Sequence, residues 1–485
     1  MEAAWIYLAI LVWFAAGCIL SHFARKQMGK GVADYFIANR RLGGFISSMT
    51  YSATTYSAFM MVGLVGLTYT AGIASLGFEL TYLMGTGILL VVFAPRFWLA
   101  GRRYGYITPA QLLGERYESP LVGAVATVLC LCMLVPYASV QFMGIGYLVE
   151  GLSGGAVTYL IGTVIATAIA FIYAWWAGMR SVAWTDSLQA VVMLATSVFL
   201  LLFIVFTFFG GFGGYAASVE TAIPSYLTVK WSFPLFLGLS LPWFFFALTN
   251  PQVTQRLFIP RSIGSMKNMV RGFIIFGFIY TIIVTLLGLA ARIMVPGLEV
   301  ADMAMPALLG KVPVLLALLV FVGIVAAAVS TLTSIILTLS SMCSRDIYKA
   351  LSPTSSEERE LVVGKMIIPV MAVVCFAFAQ LRLELIAVLS SMASAGLLMQ
   401  LPAIVGVFFW KRGTAAGALA SMIAGGIIVG GMFILGWYPL GHWPGIWGLA
   451  ICCILFVGVS LLTKPPRRAE AFINHVNEKL REHGM

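Results

Sequence analysis

Ser47-Ser48-Met49-Thr50-Tyr51-Ser52-Ala53-Thr54-Thr55-Tyr56-Ser57 opens an apolar run that continues to about residue 72. Nearly every residue of this opening carries a hydroxyl. A polar stretch at membrane depth has to face protein or a water-filled cavity. A helix broken at such a place frees backbone carbonyls that coordinate a cation. Composition supplies the membrane: of 485 residues, 61% are hydrophobic and 10% charged, against about 25% charged in soluble domains. That balance excludes a soluble enzyme, a nucleic-acid-binding domain and a disordered chain. The apolar runs are about 20 residues long, the length of a spanning helix rather than of a barrel strand. The seven cysteines all fall in or beside such runs; their spacings make no metal or redox motif, and they read as lipid- or core-facing thiols.

Outward from residues 46–72, further apolar runs occupy 4–24, 76–97, 119–151, 155–176, 182–209, 231–256, 268–296, 313–340, 365–381, 385–410, 414–437 and 444–462. The expectation is an all-α integral membrane protein of about thirteen transmembrane helices. The first run lacks a basic leader and a cleavage site, so it reads as a retained span, not a signal peptide. The loops alternate in charge. Arg25, Lys26, Lys30, Arg40 and Arg41 begin one set, which runs through Arg96, Arg180, Arg256, Arg345 and Lys411 to the tail and holds 25 of the 29 Lys and Arg. Only Lys230, Arg292, Lys311 and Arg382 lie on the other side. The positive-inside rule makes the larger set cytoplasmic, with the N-terminus outside and the C-terminus inside. The net charge of +11 is then a consequence of topology and implies no nucleic acid. Trp5, Tyr7, Trp98, Trp231, Trp410, Trp437, Tyr438 and Trp443 sit at span ends, as interfacial belts do. Residues 464–485 read as a short, weakly amphipathic surface helix, and no nucleotide-binding loop is present.

A second oxygen-rich segment lies in 313–340, where Ser330, Thr331, Thr333 and Ser334 share one broad helix face. Hard cations take oxygen ligands, and neutral oxygens suit a releasable monovalent ion. Packing by small polar residues is the other reading of the same face. Asp186 and Glu79 are acids within or at the edge of spans and are functional candidates on that ground; a helix-dipole charge for Asp186 and an interfacial position for Glu79 are the structural readings. Pro242 and Pro251, with Thr249, Asn250 and Gln252 beside the second, indicate an interrupted helix. Gln141 is the only amide deep in its run.

These residues carry a resemblance. Tyr35–Gly44, Ser52–Gly63, Ala183-Trp184-Thr185-Asp186-Ser187-Leu188-Gln189, Ala327–Thr331 with Asp346-Ile347-Tyr348-Lys349, and Trp410-Lys411-Arg412 before Gly417-Ala418 resemble the sodium:solute symporter family, which includes sodium/proline, sodium/pantothenate, sodium/sialic acid and sodium/sugar transporters. The resemblance covers about residues 35–425. It implies the leucine-transporter fold, with two five-helix inverted repeats at 46–209 and 231–410. An extra helix and loop (1–45) precede them; two helices (411–463) and a cytoplasmic tail (464–485) follow.

The family's shared sodium site carries over to the carbonyls of Ala53, Tyr56 and Ala327 and the hydroxyls of Ser330 and Thr331. The two segments are expected to be discontinuous rods that clasp the ion. A second sodium site found in some members matches Asp186, Thr333 and Ser334. Solute candidates are Thr54, Ser57, Phe59, Glu79, Gln141, Trp243, Thr249, Asn250 and Ser391. Glu79 stands where the sugar branch has an acid, Val140-Gln141-Phe142 is closer to the pantothenate branch, and Thr55 replaces an Asp of the proline branch, so the solute stays open.

The expected function is sodium-coupled import of a small organic solute, carboxylate or amino-acid-like, by alternating access. A sugar or sialic acid carrier, a proton-coupled carrier of the same fold and a non-transporting sensor or channel are the alternatives. The expected partners are Na+, the solute and a lipid bilayer, with no nucleic acid and no obligate protein partner. With no histidine cluster or metal-ligand spacing, an enzyme is not expected.

Overall fold

The computed structural model describes residues 2–26, 29 and 31–485, apart from the side chains of Trp176 and Ala177; Lys30, one of the basic loop residues, lies outside it. Among the described residues, ten helices are long and apolar enough to cross a membrane, and three shorter apolar helices stand where the remaining runs fall. In chain order these are α1 (Ala3–Lys26), the interrupted pair α2 (Gly44–Thr55) and α3 (Phe59–Ala71), α4 (Ala74–Tyr104), α5 (Pro120–Ser153), α6 (Tyr159–Trp175), α7 (Gly178–Phe208), α8 (Phe233–Phe244), α9 (Ile263–Met294), α10 (Val314–Met342), α11 (Glu357–Ala379), α12 (Ile386–Phe409), α13 (Ala415–Leu435) and α14 (Pro444–Leu462). Helices satisfy their own backbone within the segment, which is why a chain of this composition adopts little else. Large apolar side chains such as Leu11, Val91, Ile275 and Ile454 are exposed around the outside, the surface a lipid solvent accepts.

Two spans are broken, and they break alike. α2 ends at Tyr56, whose φ and ψ are −92° and 104°. The span that starts with α8 ends its outer half at Asn250, at −95° and 106°, before short inner turns at Pro251–Thr254 and Gln255–Phe258. Both are the first helix of an expected repeat, as two copies of one fold unit require. The expectation of a second discontinuous rod at residues 313–340 is corrected: α10 is continuous, because its hydroxyls bond back to their own helix or across to α2 without displacing a backbone bond.

α9 packs against α2 and α4. A side chain at Gly277 is excluded there, since its Cβ would fall 2.0 Å from the Tyr56 hydroxyl. Close approach through small residues is how helices associate in lipid. α6 and α7 meet at Gly178, whose φ of 55° and ψ of 178° lie in a region open essentially only to glycine; an added Cβ would also meet the Tyr35 carbonyl at 3.0 Å. We expect Gly178→Ala to cost about 1–3 kcal/mol, read as a lowered unfolding midpoint of the purified protein in detergent.

The loop before α2 is pinned to the far end of the other broken span. Leu42 N–H donates to the Ile259 carbonyl at 3.2 Å, and Arg261 N–H to the Leu42 carbonyl at 2.9 Å. The tail forms α15 (Ala469–Glu482), which is more than a weakly amphipathic surface helix. Phe472, Val476 and Leu480 are buried, and Phe472 stacks on Tyr104 at 5.3 Å. Trp98 is also displaced from the expected belt: it is buried and donates its indole N–H to the Pro260 carbonyl.

Candidate functional site

The break after α2 leaves the last carbonyls of one helix and the first N–H groups of the next without helical partners. The structure assigns partners to most of them. Gln141 Oε1, from α5, accepts from Ala58 N–H at 3.1 Å, and Ser57 Oγ accepts from Phe59 N–H at 3.2 Å. On the carbonyl side, Ser330 Oγ donates to Ala53 O at 2.9 Å and Thr331 Oγ1 to Ala53 O at 3.1 Å and Thr54 O at 3.3 Å. Ser330 Oγ also lies 3.0 Å from Ala327 O. Four of the five expected sodium-site residues, Ala53, Ala327, Ser330 and Thr331, are thus gathered at one point where α10 crosses the break. The fifth, Tyr56, is the residue at the break itself. All are buried.

The second break is stabilised by the same chemistry. Pro251 disfavours a helical Asn250 and supplies no N–H. Thr254 Oγ1 reaches the carbonyls of Ala247, Leu248 and Asn250 at 3.0–3.1 Å. Gln400 of α12 donates to the Thr249 carbonyl at 2.6 Å. A buried backbone group that loses its partner costs about 1–3 kcal/mol. We therefore expect Gln141→Leu and Gln400→Leu each to destabilise the purified protein by that amount and to reduce transport more than tenfold. Equal thermal midpoints for variants and parent would refute this.

Asp186, Thr333 and Ser334 are arranged differently. Thr333 turns back to its own helix, donating to Val329 O and Ser330 O at 2.9 and 3.0 Å. Asp186 and Ser334 are bridged by a residue placed among the loop cations from the sequence. Arg256 is fully buried, lies 3.5 Å from Asp186 Oδ2 through Nη2, and donates from the same nitrogen to Ser334 Oγ. Its Nη1 donates to Gln252 O at 2.8 Å. Thr50 Oγ1 donates to Asp186 Oδ2 at 2.6 Å, and Thr54 Oγ1 lies 3.1 Å from Ser334 Oγ.

The nine solute candidates are all buried but differ in their partners. Thr54, Ser57, Gln141, Trp243, Thr249 and Ser391 make hydrogen bonds within the protein; Trp243 Nε1 donates to Ser391 Oγ at 2.8 Å. Phe59 stacks on Trp243 at 4.8 Å, and Phe246 covers the other indole face at 5.0 Å. Glu79 Oε2 and Asn250 Oδ1 have no hydrogen-bond partner. Gln252, buried beside Asn250 with neither amide atom partnered, was not among the candidates, although its neighbourhood to Pro251 was a usable signal. Tyr82, one turn from Glu79 on α4, also has an unpartnered hydroxyl and meets Trp243 edge-on at 5.5 Å. Unpaired buried polar atoms and an aromatic cluster are features that a small-molecule site uses.

The family model described as the sodium:solute symporter family matches residues 35–425. The sodium/pantothenate symporter of Escherichia coli (strain K12) is 27% identical over 416 residues, covering 83% of this chain and 85% of the relative. The high-affinity proline transporter PutP of Bacillus subtilis (strain 168) is 26% identical, covering 93% of this chain and 97% of the relative. A solved structure of a Na+-coupled sialic acid symporter, substrate-bound and outward-open, superposes with a TM-score of 0.78 at 20% identity, over 95% of this chain and 98% of that one. That likeness establishes the fold, and the family match over most of the length establishes descent: the chain belongs to the sodium:solute symporter family.

Proposed function

We propose that this multi-pass membrane protein is a secondary active symporter that imports a small organic solute with sodium. It acts as a carrier rather than an enzyme, in the cell membrane, with its N-terminus outside and its C-terminus in the cytoplasm. The observation that carries the reading is the meeting of Ser330 and Thr331 with the carbonyls of Ala53 and Thr54. Both hydroxyls donate to the broken helix. When sodium enters, hydroxyl and carbonyl oxygens turn to it together, and α2 is fixed against α10 through the ion. Repeats at 46–209 and 231–410 then rock around this point.

Solute and ion share the break, so each raises the other's affinity by the same factor. One sodium moving inward gains about 2.3 kcal/mol per 100 mV. The relatives named above carry pantothenate and proline by their names; for this chain, the unpartnered Glu79 Oε2, Asn250 Oδ1 and Gln252 amide atoms favour a solute with both donors and acceptors, amino-acid-like or hydroxylated. The test is uptake into proteoliposomes of labelled amino acids, pantothenate, monocarboxylates and sugars, with sodium replaced by choline at several pH values. Uptake driven by an imposed sodium gradient is the expected result. Uptake that ignores choline replacement and follows a pH gradient overturns sodium in favour of the proton.

A further inference from the structure

We infer that the groove between α4 and α9 binds an anionic phospholipid of the cytoplasmic leaflet, its phosphate on Arg96, Lys267 and Arg271 and an acyl chain along the apolar wall. The inference goes beyond the solute and ion sites and rests only on the orientation proposed above. The groove has a volume of about 420 Å3. Leu90, Val91, Pro95, Met266 and Val270 form its wall, and Leu480 and Met485 of the tail complete it. Among the described residues the three cations are the only charges that line it, and no acid does. Spacing in the sequence aligns the two ends of such a ligand. On α9, Lys267, Arg271, Ile274 and Phe278 recur at i, i+4, i+7 and i+11, one stripe of the helix. On α4, Met84, Ile88, Val91 and Pro95 do the same and lead to Arg96. Met84, Ile88, Val91, Ile274 and Phe278 are exposed. Both stripes therefore run from lipid-facing apolar side chains to cations, the polarity of a phospholipid in the inner leaflet.

The cations are not already neutralised. Among the described residues, none of the three takes part in an ion pair. Arg96 is the most telling. A cation near the end of a span ordinarily reaches out to water. Arg96 turns the other way: Nη1 donates to the Val92 carbonyl, one turn back along α4, and the guanidinium lies over the Phe409 ring at 4.7 Å. Its Nε is buried and has no partner. A buried charged donor left unpaired is costly. A phosphate accepts parallel N–H bonds from a guanidinium and supplies the missing partner. Lys267 and Arg271 are exposed and add charge for the same headgroup. Basic pockets between spanning helices on the cytoplasmic side suit anionic headgroups, in a leaflet whose own surface is negative. A soluble phosphate would meet the cations and leave the apolar wall unused, which is why the occupant is a lipid.

The experiment is native mass spectrometry of the purified full-length protein, titrated in detergent with phosphatidylglycerol or with phosphatidylcholine of the same acyl chains. Retention of phosphatidylglycerol about tenfold tighter than phosphatidylcholine is the expected result. Arg96→Gln, Lys267→Gln and Arg271→Gln combined should abolish that preference. Arg25→Gln, Arg359→Gln and Lys464→Gln combined remove as much charge from the same side outside the groove and should keep it. Val91→Trp, at an exposed position, leaves the cations in place, fills the wall and should weaken retention several-fold. Equal affinity of the parent for the two lipids overturns the inference, as does an undiminished preference in the groove triple variant. Displacement of the lipid by inorganic phosphate, where sodium chloride of the same ionic strength leaves it bound, overturns it in favour of a soluble anion. Where the triple variant fails to fold, the parent's ratio and Val91→Trp decide in the same directions. None of these readouts involves sodium binding or solute uptake, so failure of the symporter reading and failure of this one are separate results.

Discussion

Ser330→Ala and Thr331→Ala are each expected to raise the sodium concentration for half-maximal uptake by tenfold or more, and the double variant to lose sodium activation. The reason is geometric. Both hydroxyls meet at the Ala53 carbonyl, so each substitution would remove one oxygen from the proposed ion site and one donor from an orphaned carbonyl. A hydrogen bond to a charged group contributes about 1.5–3 kcal/mol, and about 1.4 kcal/mol is a factor of ten. The loss in sodium affinity should come on top of any loss of stability, because α10 is continuous through both positions and alanine is a strong helix former. Full sodium activation in both variants would refute the assignment of the shared site.

Trp243→Ala is expected to abolish solute uptake while 22Na+ binding stays within about threefold of the parent. Its indole is stacked between Phe59 of α3 and Phe246 beyond α8, meets Phe78 and Tyr82 edge-on, and donates to Ser391 of α12. One side chain thus joins the outer halves of both broken spans to a third helix. Truncating a buried aromatic to alanine costs about 3–5 kcal/mol, and the cavity opens in the wall against which a solute would rest. Trp243→Phe preserves most stacking and loses only the bond to Ser391, so it should match Ser391→Ala, with uptake reduced several-fold. If Trp243→Ala transports normally, this aromatic wall is not the solute site.

The spans were legible because a bilayer imposes one length and one polarity on every crossing helix. The break at Asn250 was legible too, since Pro251 constrains its predecessor whatever the surroundings. The break at Tyr56 was readable only as a hydroxyl-rich run, and the same signal misled at residues 313–340. Serine and threonine bond equally well to their own helix and to a neighbour, and only the partner decides which. Arg256 was missed for a related reason. It stands at the end of an apolar run, where a cation usually marks water, and its true partner Asp186 is 70 positions away in the chain. Glu79 looked able to reach an interface and is buried, a burial that packing against the rest of the fold decides and local sequence does not show. Gln141, expected among the solute residues, also accepts from the Ala58 N–H at the start of α3, a role that follows from a break that local sequence does not locate to the residue.

The two backbone bonds of Leu42, to Ile259 and from Arg261, lash the inner stubs of both broken spans into a single lever. Under the function proposed above, a slide that carries both stubs past α10 would pull Ala53 and Thr54 away from Ser330 and Thr331 and would draw the Pro251–Thr254 turn with them. Cargo and ion would then be unlocked by one mechanical event.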